Sequence, residues 1–559
     1  MSLAQAASHR VRLPPLRGVA VIGAIYAALA ITVLYPLAAV LAQAFFEGTG
    51  LNAGKIREVF TSPDIVEAIV NTVAIGALTV ALAGSIGVSL AWLNARSNMP
   101  LKRVLDPLNM IPFYLSSVVG ALSWQVIAAP RTGLINSLVA PLFGAPPFDV
   151  YSVGGIALVL GLFYAPYVYL FTLGSLQSMD PALEDSARMS GASKLQTALR
   201  ITLPLSAPAI LSACILVFVT AMGIFGVPLV LGVPGNVHTL STLIYRSIND
   251  YPPDFATAAI LSSALFVFTA AFTVAQILLL RGRRFTTVTG KGYRPRLIDL
   301  GRWRWAAVAF NALYLVFVIG PFVALLLVSL QDAWTGAFDW ARLTLANYHK
   351  VLFVDDAAKR GLYNSLIIST VGATLAVGIC MVLALTIHRT RLRGRDGIAL
   401  LAMVPVTVPG IVLGLGFLVA IAATPLYGTL WIIMIAYIVH YLPTGLRNSE
   451  SLVLSISREL DESARMSGAT WWRAMSRIVL PLAAPGMLSL WLLMFVTYIR
   501  EVSASMMLVT FGTETMSIAL INIMEYEPYG VSGAFGVMQT LLVLACVAAV
   551  RQVASPRQG

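Results

Sequence analysis

Twelve stretches of this chain run about 20 or more residues with few charges, the length a helix needs to cross the hydrocarbon core of a bilayer. They fall at about 18–44, 66–94, 104–128, 153–177, 205–232 and 256–280, and again at about 305–330, 362–387, 398–423, 428–446, 482–511 and 533–550. Several contain Gly and Pro, which membrane helices tolerate where neighbouring groups satisfy the backbone. With 58% hydrophobic and 11% charged residues, against about 25% charged in soluble proteins, the chain is expected to be an all-α polytopic membrane protein. The basic start (Arg10, Arg12, Arg17) leads into an apolar run too long for the core of a cleavable signal, so the reading is a retained first span.

The runs form six plus six, and the two sets correspond. Residues 183–208, LEDSARMSGASKLQTALRITLPLSAP, and 460–485, LDESARMSGATWWRAMSRIVLPLAAP, share 15 of 26 positions at an offset of 277. Asn71-Thr72 matches Asn364-Ser365 and Pro112 matches Pro405 at offset 293, and Pro166 and Pro443 return to 277. About 16 extra residues therefore sit in the first half, most economically in 129–152. An even number of spans makes the repeats parallel, related by an axis along the membrane normal. The expected division is a first half 1–282, a basic linker 283–304 and a second half 305–559, with the weakly similar runs 18–44 and 305–330 as outer scaffold.

The shared segment is charged and punctuated where its surroundings are apolar. Asp180 and Ser457 suit helix N-caps, Pro181 suits the first helical position, and acids follow near the positive end of the helix. Gly191 and Gly468 suit a left-handed position that ends the helix after about two turns. A second amphipathic piece leads to Leu203-Pro204 and Leu480-Pro481, where proline marks entry into the next span. The expectation is helix, glycine turn, helix, over 180–204 and 457–481.

Charge sets the orientation. With the N-terminus inside, 28 of 37 Lys and Arg lie inside, 8 outside, and Arg500 within a span. Both termini, the repeated loops and the linker are then cytoplasmic, and the net charge of +12 anchors the chain to anionic lipid headgroups. No folded basic domain accompanies the linker, which argues against nucleic acid as a partner. Cys214, Cys380 and Cys546 are scattered through separate apolar runs, without metal-ligand spacing. Gly290-Lys291 lacks the upstream glycine and following hydroxyl of a phosphate loop, so the chain is not expected to hydrolyse ATP.

These loops resemble the EAA loop of binding-protein-dependent ABC importer permeases: acid-small-Ala, Gly six residues after the acid, then I-x-L-P. Here the pattern stands as Asp185-Ser186-Ala187, Gly191, Ile201-Thr202-Leu203-Pro204, and as Glu462-Ser463-Ala464, Gly468, Ile478-Val479-Leu480-Pro481. Asp replaces Glu in the first copy and Ser the first Ala in both. The resemblance implies a type I importer fold with a coupling helix in each half that docks on a cytoplasmic ATPase. Glu184, Asp185, Ala187, Arg188 and Gly191, with Asp461, Glu462, Ala464, Arg465 and Gly468, would carry that coupling. It further implies two copies of an ATPase subunit holding ATP and magnesium, no cofactor on this chain, a periplasmic solute-binding protein, and a place in the bacterial inner membrane. The alternative for the loops is an interfacial helix with no partner.

MDPALEDSARMSG (179–191), TVTGKGYRPR (287–296) and the single-chain fusion are similar to the ferric-iron permease group, which implies ferric iron as cargo; related permeases carry thiamine, phosphonate or polyamines. A rival from another class is a twelve-span transporter driven by an ion gradient, which leaves the duplicated loops unexplained. Arg500-Glu501 is the deeply placed charge pair, expected inside the run 482–511 with each residue partnered on another span. It reads as a gate or substrate contact, or as a structural salt bridge. The outer segments 129–152, 233–255 and 512–530 would receive the binding protein; the acids of the last read as solvated rather than metal-ligating.

Overall fold

The computed structural model of the chain describes residues 15–47, 50–143, 146–280, 297–390 and 392–554. Most of the expected linker, residues 283–296, lies outside them. Among the described residues nine helices are long and apolar enough to cross a bilayer, and three bent helix pairs raise that number to as many as twelve.

Three of the twelve expected runs are folded as bent helix pairs. Lys102–Phe113 meets Ser117–Ala128 at 101°, Arg395–Thr407 meets Gly410–Ile421 at 108°, and Leu430–His440 meets Leu442–Ser455 at 56°. Pro112 and Pro405 sit in the 3-10 turns Ile111–Phe113 and Val404–Thr407, and Pro443 opens the helix Leu442–Ser455. Proline donates no backbone hydrogen bond and clashes with the carbonyl four residues back, so a helix turns there. Hydropathy registers that a run is apolar and is blind to its direction. Because Pro112 and Pro405 are equivalent, the sharp bend belongs to the repeat.

Elsewhere proline is accommodated without a break. The π-helical turns Ala30–Leu34, Ala198–Thr202 and Met475–Val479 each end two residues before a proline: Pro36, Pro204 and Pro481. Widening the ladder for one turn frees the carbonyl that the ring would strike, and the helix continues. The spans therefore run from Ala198 to Gly223 and from Trp471 to Ile499, starting earlier than the prolines suggest.

Packing sorts the chain into two compact units that cut across the sequence halves. Among the described residues, one unit holds those within 15–42, 360–518 and 542–554; the other holds those within 43–359 and 519–541. Each outer span thus joins a unit built mainly from the opposite half, and neither is a loose appendage. In the first unit, the Tyr26 hydroxyl donates to the Gly394 carbonyl at 2.7 Å, and Gly416 faces the backbone of Pro36. In the second, helix Arg304–Ser329 stacks Phe317 on Trp124, centroids 6.2 Å apart, and Tyr314 donates to the Leu162 carbonyl. Small residues let helices close on one another: Ala83, Val168, Ala213 and Val217 form a buried cluster between helices Pro63–Arg96, Val153–Ser178 and Leu203–Gly223.

The segment 129–152, expected as a loop, contains the helix Leu134–Phe143. Buried Asn136 pins it, donating to the carbonyls of Ala128, Ala129 and Phe148 and accepting from the Phe148 N–H. The other outer segments likewise hold short helices, Leu240–Asn249 and Met516–Tyr526.

Gly414 illustrates how tight the first unit is: a Cβ there would lie 2.5 Å from the Ala504 carbonyl oxygen, which is backbone and cannot swing aside. Gly414→Ala should cost about 1–3 kcal/mol, as overpacking does, and lower the melting temperature of the detergent-purified protein. Gly378→Ala, where nothing lies within 4 Å, should leave melting unchanged or raise it.

Candidate functional site

The repeated loops fold alike down to single hydrogen bonds. Asp180 caps helix Pro181–Met189, its carboxylate accepting from the Ala182 N–H at 2.9 Å; Ser457 caps helix Arg458–Met466, accepting from Glu459 at 3.3 Å. Both helices end on a left-handed glycine, Gly191 at φ +87° and Gly468 at φ +88°. Ala192 donates to the Ala187 carbonyl and Ala469 to that of Ala464, both at 3.0 Å, closing the helix ends. A Cβ on either glycine would meet nothing within 4 Å, so backbone conformation, and not space, demands glycine here. After the turn, Ser193 and Thr470 cap the next helical pieces, which pass through the π turns into the spans.

Each helix has two faces, and the residues singled out in the sequence divide between them. Glu184 and Asp461 turn inward and are 7% exposed. Glu184 pairs with Arg96 (Nε–Oε1 3.4 Å) and accepts from the Thr202 hydroxyl at 2.8 Å; Asp461 accepts from Arg389 at 2.6 Å. Glu462 is exposed, while Asp185, Ala187, Arg188, Ala464 and Arg465 are half-buried. The outward face carries apolar side chains instead: Met189 is 84% and Met466 90% exposed, with Leu183 and Leu460 each 46% exposed. Sequence reasoning passed over these methionines and the two arginines. The signal for both was available: methionine recurs within SARMSGA, and Arg96 and Arg389 are equivalent at offset 293.

Arg500 and Glu501 do not lie inside a helix. Helix Leu480–Ile499 ends just before them, with Arg500 already off helical geometry at φ −107°, ψ 2°. The buried Glu501 carboxylate explains the break: Oε1 accepts from the Ala504 N–H at 2.9 Å and Oε2 from the Tyr441 hydroxyl at 2.7 Å, so it caps the next turn. Tyr437 donates to the Glu501 carbonyl, and the rings of Tyr437, Tyr441 and Tyr498 pack together with centroids 5.5 and 5.8 Å apart. The expected place of both residues inside a helical span does not hold here.

Two acids of the 512–530 segment are held in ion pairs. Arg360 donates to both Glu514 oxygens and lies over the Phe511 ring, and Lys350 pairs with Glu527 at 2.6 Å. Burial pushes the Glu514 carboxyl up, but hydrogen bonds from its own backbone, Arg360 and Gly512 hold it below its ordinary value. His238 is half-buried, with Nε2 3.1 Å from an Arg246 nitrogen.

A helical chain with two repeats, each bearing a capped polar loop between candidate spans, defines a multi-pass membrane protein. It belongs to the family described as binding-protein-dependent transport system inner membrane component, matched over residues 83–285 and 377–558, one match enclosing each loop. It is similar to the ferric transport system permease protein FbpB of Actinobacillus pleuropneumoniae, 26% identical over 92% of this chain and 75% of that one. It is also similar to the Fe(3+)-transport system permease protein FbpB 2 of Haemophilus influenzae, 22% identical over 90% and 94%. Among solved structures, a bacterial alginate ABC transporter in complex with its alginate pentasaccharide-bound periplasmic protein aligns with 48% of this chain and 98% of its own, at 20% identity and a TM-score of 0.40.

Glu501→Ala should strand the Ala504 N–H and Tyr441 hydroxyl in a buried site, costing about 1–3 kcal/mol for each group. Glu501→Gln retains an acceptor for one of them and should lose less. Thermal melting of the two variants in detergent checks the order.

Proposed function

We propose that this permease is the fused membrane subunit of an ATP-driven importer that takes ferric iron from a periplasmic binding protein across the bacterial inner membrane. The observation that carries the coupling half of this reading is the bare methionine at the end of each loop helix, Met189 and Met466. A flexible, polarisable side chain held in solvent by a rigid capped helix suits insertion into an apolar groove on another protein. Two such loops call for two ATPase subunits, which would hold ATP and magnesium, so the chain is a transport subunit and not itself an enzyme.

The distribution of basic residues supports cytoplasmic termini and loops. The cargo is supported by relatives named for ferric transport that align with about nine-tenths of this chain. In the mechanism, closure of the ATPase pair pushes Pro181–Met189 and Arg458–Met466 as rigid bodies. The continuous spans Ala198–Gly223 and Trp471–Ile499 carry that displacement into the membrane. Asp185, Glu462, Arg188 and Arg465 would make polar contacts with the ATPase, and Gly191 and Gly468 fix the turn. Helix Trp471–Ile499 ends at the Arg500-Glu501 break, where Arg500 would face or gate the pathway and Glu501 hold the break in shape.

Met189→Glu and Met466→Glu each remove a burial of about 1.5–3 kcal/mol, so the ATPase subunit should bind about 10–100-fold more weakly, read by co-purification and titration. Undiminished retention in the double variant would contradict the docking role. Arg500→Ala should lower uptake of radiolabelled ferric iron severalfold while the ATPase still co-purifies; normal uptake would reduce the residue to a structural part.

A further inference from the structure

The loop helices are fastened at their inner face to a second element that recurs in both halves. Helices Pro63–Arg96 and Asp356–Arg389 are each 34 residues long, about 51 Å at 1.5 Å per residue, and each ends on an arginine that meets the inward acid of the loop helix. Arg96 is fully buried and the Arg389 side chain 3% exposed. Towards the other end, the same helices carry Asn71-Thr72 and Asn364-Ser365. Asn71 donates to the His238 carbonyl, and Thr72 accepts from the Leu240 N–H at 2.9 Å. Asn364 donates to the Glu514 carbonyl, and Ser365 accepts from the Met516 N–H at 2.7 Å. In each case the long helix holds the first N–H of a short outer helix, Leu240–Asn249 or Met516–Tyr526, a donor with no partner inside its own helix.

We propose that these two long helices act as transmission rods between the outer short helices and the loop helices, with Arg96, Arg389, Asn71-Thr72 and Asn364-Ser365 as positioning residues at their ends. A buried ion pair contributes little net stability when intact but is strongly penalised when one charge is stranded. The rod and the loop helix must therefore move together. The second fastening is the stronger. Arg389 donates at once to Asp461, to the Val453 carbonyl at 2.9 Å and to the Ile456 carbonyl at 2.5 Å, gathering the end of helix Leu442–Ser455 into the same clamp. Among the described residues, Arg96 has the 3.4 Å contact and no hydrogen bond from its guanidinium, and Glu184 divides its bonding with Thr202.

The inference rests on the loops being the sites where ATPase subunits dock. The test uses the full chain with its ATPase in lipid nanodiscs, with Cys214, Cys380 and Cys546 replaced by alanine and Tyr526→Cys as a reporter. Tyr526 is 80% exposed at the end of the short outer helix. The readout is the change in its labelling rate by a charged thiol reagent on adding magnesium-ATP and vanadate, which needs no cargo. Arg389→Ala and Asn364→Ala should each cut that nucleotide-driven change about tenfold while the ATPase remains bound, and Arg96→Ala should cut it less. Arg389→Lys, which keeps the charge and the fold but not the three-way fork, should restore part of it. An unaltered response in Arg389→Ala and Asn364→Ala overturns the rods alone. A reporter blind to nucleotide in the otherwise unmodified chain overturns the docking reading beneath them.

Discussion

Hydrocarbon offers no hydrogen bonds, and the joints of this protein are built around that constraint. Where a span must turn, a side chain takes over the backbone's unmet bonds. Glu501 caps the turn after Ile499, Asn136 ties the inserted helix at three carbonyls, and Thr72 and Ser365 receive the first N–H of a neighbouring helix. Where a proline must be carried within a span, one π turn absorbs it. Charges obey the same rule: Arg389 and Asp461 are buried because each satisfies the other. Polar groups thus mark the joints of the molecule, and apolar helix fills the lengths between them.

The fastenings of Arg96 and Arg389 and those of Thr72 and Ser365 fall on corresponding residues in the two halves, so one mechanical plan is used twice. The copies are not equal in strength. Arg389 clamps three acceptors, whereas Arg96 touches one carboxylate that Thr202 also holds. The second half also holds Glu501 at a position where the first has Ile224. Each outer span packs in the unit dominated by the opposite half.

Much of this was legible in the sequence, for physical reasons that are easy to state. Bilayer thickness makes a span a matter of counting apolar residues, and capping chemistry is local, so Asp180, Ser457, Gly191 and Gly468 announced the loop helices with their boundaries. What stayed hidden depends on direction or on distance along the chain. Pro112 and Pro405 reverse a run whose hydropathy is uniform. Arg500 and Glu501 looked helical because the Glu501 carboxylate that caps Ala504 is also held by Tyr441, a distant residue on another helix. The inward face of Glu184 depends on Arg96, at the end of a distant helix. Family membership carried the function, and the geometry adds which residues of each loop are exposed and which turn inward.

The central claim is that force enters this permease through its two loop helices. Hydrogen–deuterium exchange of the purified chain, with and without its ATPase subunit and nucleotide, addresses it directly. Backbone amides of residues 180–204 and 457–481 should both gain protection on ATPase binding, while exchange in 233–255 and 512–530 changes only once nucleotide is added. Protection confined to other segments, with both loops exchanging as in the free chain, would contradict the account.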